Sequence, residues 1–491
     1  MLKAASIVNV QEGFTAFLVI VVAYASEAYM GPFNTVVCTT FAYVMYFWYG
    51  WDVASVLTTR KIETLLMLIM QNQALGRAGR DIVLKEFLAD QFWEKGSVED
   101  EIQLERRRKV CWRLASVVGI FVSISFPTNA SWVELSKRST IIMGAAFAFL
   151  LVGIAFYERK KPTKPSPDMT VLRVFYAAIS NRHLGYTPSD DHISDIPILR
   201  WLDKAAIEVE SSPTSLEEQE RKGRYCSVEE VEEVKILLTV IPALWTTFLV
   251  YGVLQATGNT FFYEQAGFMD DHLGSMSHVP ISIFVLIMTT SSFIVSRIYD
   301  FLFPFYWGTD KIPRQVILTR IGVGMAISPI CCIIAWRVEH FRLRQYVKFD
   351  TSISVFWLLP QFVLLGIMEG LVFDGLEEFF YPHVPESFNK YGPSITQFAL
   401  NIGNFLSLAF LLIFHGLFND TLDTSSLGTY YLMLGLICFV NLVFYFYVAT
   451  FYVKEDPPQE IELQQPEEQQ PEQQESFEDN TDVIQLDNIE G

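Results

Sequence analysis

The stretch CSVEEVEEVKILLTVIPALW (226–245), preceded by WLDKAAI (201–207) and followed by NTFFYEQ (259–265), decides how this chain is read. A run of acids with one lysine gives way at Ile236 to an apolar span over 236–258, and about 20 such residues cross the hydrocarbon core of a bilayer. Working outward, further candidate spans fall near 280–296, 316–336, 353–376, 394–418 and 430–453, which completes a six-helix C-terminal half. Upstream, candidates near 7–30, 33–50, 62–79, 110–127 and 139–157 are shorter and more interrupted by polar residues, for eleven in all.

Composition agrees. With 51% apolar and 14% aromatic residues over 491 positions, the chain exceeds what a soluble domain carries. The fold class is therefore all-α integral membrane. The formal charge of −19 is concentrated at one end, where the segment after Lys454 holds thirteen acids and no Lys or Arg. Rich in Gln, Glu and Pro, that tail cannot bury enough apolar surface to offset ordering, and it reads as disordered. The resulting organisation is an N-terminal bundle over 1–157, a linker over 158–235, a C-terminal bundle over 236–453 and an acidic tail over 454–491. No basic region with a compact apolar core and cleavage site precedes the first span, so the opening does not read as a secretory signal.

Six cysteines lack ligand spacing and read as small packing residues. Seven histidines are dispersed and form no Cys/His metal pattern. With no Ser/His/Asp arrangement and no phosphate-cradling glycine loop, no enzyme, cofactor, metal or nucleic-acid partner is expected. Orientation follows from Lys and Arg in short loops. Arg106, Arg107, Arg108 and Lys109, then Arg159, Lys160, Lys161 and Lys164, and then Lys311 and Arg314 belong in the cytosol, and the C-terminus with them. A loop carrying Arg337, Arg342, Arg344 and Lys348 falls outside on the same count, against the rule. Sequons at Asn129 and Asn419 also fall outside.

Glu369 is the leading functional candidate. It lies in PQFVLLGIMEGLVF (360–373), near the middle of an apolar helix, where an ionised carboxyl costs about 2.5–3.5 kcal/mol on insertion scales. Such acids face a cavity or a partner, or are hydrogen-bonded within the bundle. Gly366 and Gly370 beside it suit close helix packing. Thr247, Tyr251, Gln255 and Asn259, at steps of four, make a polar stripe along one helix. Gln397, Asn401 and Asn404 make another. Either stripe lines a water-filled path or bonds helix to helix.

The three opening blocks in order resemble the plant nitrate and peptide transporter family, the plant branch of the proton-dependent oligopeptide transporters. Members carry a Leu-Asp-Lys-Ala-Ala box at the end of a central cytoplasmic linker. A Cys-x-Val-x-x-Val-Glu-Glu-x-Lys run then leads into their seventh membrane helix. The likeness continues through RIYD (297–300), LTRIGVGMAIS (318–328), EEFFYPHVPES (377–387) and SLGTYYLMLG (426–435). It implies a major facilitator fold of twelve helices in two bundles. On this alignment MLKAASIVNVQEG is expected to begin the second helix and the first has no counterpart, as a shortened gene model or a truncated protein would give.

The resemblance implies that Glu369 matches the tenth-helix acid tied to substrate recognition and proton coupling. Gln255 matches a seventh-helix functional position if one inserted residue is allowed. Departures fall on the coupling machinery. The first-helix Glu-x-x-Glu-Arg motif is not found, and Gly-x-Gly-Gly-x-Lys-Pro appears as GRAGRDI (76–82), with Asp81 in place of the lysine and Arg80 as a neighbouring cation. Arg80 and Asp81 otherwise read as a local ion pair at a span end. The Phe-Tyr-x-x-Asn pattern is lost, with Arg113 and Val117 at its Tyr and Asn positions.

The expected function is secondary transport of a small molecule or ion across a lipid bilayer by alternating access, with protons as a candidate coupling ion. The substrate classes are nitrate, peptide, hormone or metabolite, and the membrane is the plasma or vacuolar membrane. The competing reading is a non-transporting paralogue acting as a sensor or interaction protein.

Overall fold

The computed structural model describes residues 2–55, 62–91, 98–125, 131–157, 167–183, 199–207, 225–273, 276–307, 314–380, 392–419 and 421–454. The acidic tail, the basic segment 159–164, Lys311 and the sequon at Asn129 lie outside them. Each of the eleven expected spans coincides with a helix. The first five are α1 (Leu2–Ala25), α2 (Pro32–Ser55), α3 (Ile62–Ala78), with α4 (Leu84–Gln91) continuing it, α5 (Val98–Ile124) and α6 (Trp132–Val152). After α7 (Pro167–Ser180) come α8 (Val228–Thr257), the short α9 (Tyr263–Ala266), α10 (Ser282–Trp307), α11 (Arg314–Phe349), α12 (Leu359–Phe380), α13 (Gly392–Ile413) and α14 (Leu427–Lys454). Among the described residues, seven helices are long and apolar enough to cross a membrane by themselves. A two-stranded hairpin, β1 (His272–Leu273) with β2 (Met276–His278), lies between α9 and α10.

Local chemistry sets several of these boundaries. Ser227 caps α8 reciprocally with Glu230, each side chain bonding the other residue's backbone N–H. Ser131 caps α6 by accepting from the Glu134 amide. Gly31, at φ 77, makes the left-handed turn between α1 and α2, and Pro32 opens α2 where no amide donor is needed.

Packing divides the helices into two bundles. In the first, α1 and α2 lie against α3 and α2 against α6, around Val19, Val22, Phe33, Val36, Ala78, Val83 and Phe87. In the second, α11 packs on α12 and α14, α10 on α12, and α8 on α13 and α14. The bundles meet where α1 lies along α13 and α5 along α10. Asn9 donates to Ser407 across the first seam, and Ser123 and Ser282 bond across the second. Leu436, Phe439, Val440, Val443 and Phe446 on α14, with Phe149 and Val152 on α6, stay exposed. An apolar surface that large suits lipid rather than water.

The central linker docks on the base of α8. Asp203, in the 3-10 turn Arg200–Ala206, pairs with the fully buried Lys235 at 2.6 Å, and Arg173 of α7 pairs with Glu230. The Leu-Asp-Lys-Ala-Ala box is thus a folded clamp, and its aspartate neutralises the one lysine of the opening stretch.

One expectation is corrected. Arg337, Arg342, Arg344 and Lys348 do not form a loop, because α11 runs unbroken through them to Phe349. Arg342 turns inward, its guanidinium donating to both Glu339 carboxylate oxygens at 2.9 Å and to Asp423 at 2.5 Å. Gln265 extends this buried knot, donating to Glu339 at 2.7 Å and accepting from Gln361 and Tyr431. A paired, buried arginine is not a free loop charge, which removes one of the exceptions to the positive-inside count.

Candidate functional site

The site is organised by how closely α12 approaches α10. A Cβ on Gly366 would sit 2.2 Å from the Met288 carbonyl oxygen, and one on Gly370 would sit 2.5 Å from that of Ser292. Only glycine permits this backbone contact. Asp374 follows Gly370 by four residues and so shares the face turned to α10. Glu369, one residue earlier than Gly370, is rotated from that face by about 100°.

Asp374 is the centre of an ion cluster. Its Oδ2 accepts from Ser296 at 2.6 Å and from Arg113 at 2.6 Å, with Arg320 at 3.3 Å. Arg320, whose side chain is fully buried, also donates to Glu378 at 2.8 Å and to the Gly370 carbonyl at 3.1 Å. Its guanidinium lies 4.1 Å from the centroid of the Tyr299 ring. Arg113 belongs to α5, whereas every other member belongs to the second bundle. The Arg113–Asp374 pair therefore crosses the bundle interface, toward the end of α12 that is farther from the hairpin.

Glu369 is reached from both bundles. The charged groups acting on it are Asp374 from its own helix and Arg113 and Lys85 from the first bundle. Lys85 of α4 lies 5.4 Å from the Trp112 ring of α5 and 5.8 Å from the Phe373 ring of α12, spanning the seam as Arg113 does. From α8, Tyr251 feels both Glu369 and Asp374, and Tyr263 feels Glu369. The Tyr251 hydroxyl is buried and has no hydrogen-bond partner among the described residues.

Glu369 and Tyr251 are thus within electrostatic reach of each other. Gln255 is half-buried on α8, and Asn401 is half-buried on α13, where it accepts from Gln397 at 3.4 Å. Asn259 stands apart and exposed. The regular register of α8 ends at a π-helical turn, Gly258–Phe262, whose one-residue excess rotates the residues beyond it by about 100°. Tyr263, outside the expected set, lies beyond this turn and within the field of Glu369. Arg80 is exposed in a second π-helical turn, Gly79–Val83, which also holds Asp81. The cation from this region that acts on Glu369 is Lys85, one turn beyond Asp81.

Asp374 and Arg320 were also missed by sequence reasoning, and Arg113 was noted only as a departure from the fifth-helix pattern. Arg320 and Asp374 lie near the edges of their spans, where charges ordinarily leave for water, so neither stood out as Glu369 did. The available signal was the spacing of Asp374 and Glu378 at i and i+4, opposite an arginine inside a span.

Comparison with known proteins agrees with this architecture. The model of the POT family (PTR2) matches residues 137–421. Protein NRT1/PTR FAMILY 5.6 of Arabidopsis thaliana is 28% identical over 487 residues, covering 90% of this chain and 83% of the relative. Protein NRT1/PTR FAMILY 5.5 of Arabidopsis thaliana is 29% identical over 484 residues, covering 91% and 90%. Among solved structures, an auto-inhibited POT family peptide transporter superposes with a TM-score of 0.66 at 15% identity, over 93% of this chain and 90% of that one. The POT family transporter PepTSo gives 0.64 at 12% identity with the same coverage. At such identities the structures speak for the fold, two bundles of the major facilitator type, while the family match covers more than half of the chain. The chain belongs to the POT family, and is an integral membrane secondary transporter of small solutes rather than a non-transporting paralogue.

Proposed function

We propose that Glu369 is the acid through which this transporter couples substrate, and protons, to alternation between its two bundles. The observation that carries this reading is convergence. A carboxyl in the second bundle lies in the field of Lys85 and Arg113 from the first, beside Tyr251 and Tyr263. A titratable group placed so changes its cationic surroundings whenever the bundles separate. Gln255, Tyr251 and Asn401 line the solute path, and Lys85 supplies the positive charge that Asp81 does not. Arg113 and Asp374 form a latch between the bundles, strongest when they are closed at that end.

The chain is organised as a helical bundle over 1–157, a linker over 158–235, a six-helix bundle over 236–453 and an acidic tail over 454–491. The linker and the C-terminus face the cytosol, which puts the latch on the cytosolic half and the hairpin outside. The relatives' names point to nitrate or peptides as first substrates to test, at the plasma or vacuolar membrane. Uptake by cells expressing the chain, screened over anions and short peptides with and without an imposed proton gradient, tests the reading. Uptake stimulated by an inward gradient supports it. Uptake indifferent to the gradient removes the proton from the mechanism.

A further inference from the structure

At the end of the molecule opposite the linker, the hairpin gathers metal-binding groups that the transport site does not use. His272 and His278 are directly paired residues of β1 and β2, and their ring centroids lie 4.5 Å apart. Asp271 Oδ1 is 2.8 Å from His278 Nδ1 and 3.6 Å from His272 Nδ1. Donor atoms of all three residues lie within 4.8 Å of one another. Two donors on a tetrahedral zinc ion, each about 2.0–2.2 Å from it, are separated by roughly 3.3–3.6 Å. Small side-chain rotations thus bring the three onto one ion.

The surroundings are those of a supported site. Asp270 accepts from His272 Nδ1 at 2.8 Å and from the His272 backbone amide at 3.1 Å, the kind of carboxylate–histidine contact that orients the ring and leaves its other nitrogen, Nε2, to ligate. The backbone is fixed as well. The Asp270 amide donates to the Ile353 carbonyl, the Val355 amide donates to the Asp270 carbonyl, and the Val279 amide donates to the Asp271 carbonyl, each at 2.8 Å. The hairpin is therefore tied to the segment that enters α12, the helix of Glu369.

We propose that Asp271, His272 and His278 form a binding site for a first-row divalent cation of the zinc type, open on its fourth position and located on the outer face of the transporter. Imidazole with a carboxylate suits Zn²⁺, Ni²⁺ and Cu²⁺ and is unsuited to Mg²⁺ or Ca²⁺, which take oxygen ligands. An ion there cross-links the two strands and, through Asp270, fastens the hairpin to the start of α12. The site escapes a spacing-based reading because its histidines, six residues apart, meet only when the chain reverses between them.

The test uses the full-length protein purified in detergent through an affinity tag without histidine and freed of metal with a chelator. Titration with Zn²⁺ alone is expected to show one equivalent bound and a raised melting temperature. The His272→Ala/His278→Ala double variant is expected to bind at least 10-fold more weakly. Asp271→Asn, which preserves shape, is expected to weaken binding too. Co²⁺ in place of Zn²⁺ should give the visible absorption of a tetrahedral centre in the wild type and not in the double variant. Wild-type protein that binds no Zn²⁺ at micromolar concentration overturns the proposal, as does a double variant that binds as the wild type does. Should the double variant fold poorly, His278→Gln with Asp271→Asn in otherwise native protein takes its place, and unchanged affinity there has the same meaning.

Discussion

Arg113→Gln removes the one cation that crosses from α5 to the acid cluster of the second bundle. Asp374 keeps Ser296 at 2.6 Å and Arg320 at 3.3 Å in this variant, so the carboxylate is not orphaned. The main loss is then the short charge-assisted hydrogen bond to Asp374, between side chains 17% and 14% exposed, beside the longer contacts of Arg113 with the Ser292 carbonyl at 3.4 Å and the Ser296 hydroxyl at 3.3 Å. Such bonds contribute about 1.5–3 kcal/mol, and each 1.4 kcal/mol is about tenfold in an equilibrium. The population closed at the latch should fall roughly 10- to 150-fold relative to the open one. Distances between spin labels on α5 and α12, measured in lipid, report that ratio. Asp374→Asn should shift it in the same direction, and the double variant should shift it little further than either single change. Shifts that simply add, within about 0.5 kcal/mol, would show that the two residues are uncoupled and would remove the latch.

Three further outcomes are expected. Lys235→Met leaves Asp203 buried without its cation, which costs about 3–5 kcal/mol, and should release the clamp on α8, seen as faster limited proteolysis after residue 183; unchanged cleavage would mean that the clamp is held by other contacts. Gly366→Ala forces a methyl group against the Met288 carbonyl and should destabilise by about 1–3 kcal/mol, lowering the yield of monodisperse protein; wild-type yield would show that α10 yields without strain. Protease protection in sealed vesicles should place the linker and the segment after Lys454 on the same side, and opposite accessibility would overturn an even number of spans between them.

Much of the fold was legible because a bilayer imposes one rule on every span, and each apolar run that satisfied it is a helix. Glu369 was legible for the same reason, as a lone acid where the solvent is hydrocarbon. Arg342 was misread because sequence cannot tell a loop arginine from one folded onto Glu339 and Asp423. The exposure of Asn259 was not legible because it lies in the π-helical turn that ends the regular register of α8, and no periodicity of four registers an inserted residue. Lys85, Arg113 and Asp374 come from separate spans. Their meeting depends on how two bundles dock, which local pattern does not encode.

Glu369→Gln tests the central claim most directly, since it keeps the side chain's size and its capacity for hydrogen bonding while removing the titratable charge. Uptake of an identified substrate should be measured across external pH for wild type and variant, with surface abundance quantified in the same cells. The proposed role predicts normal abundance with uptake strongly reduced or no longer dependent on pH. Wild-type rates with an unchanged pH profile would contradict it, leaving Glu369 as a packing residue of α12.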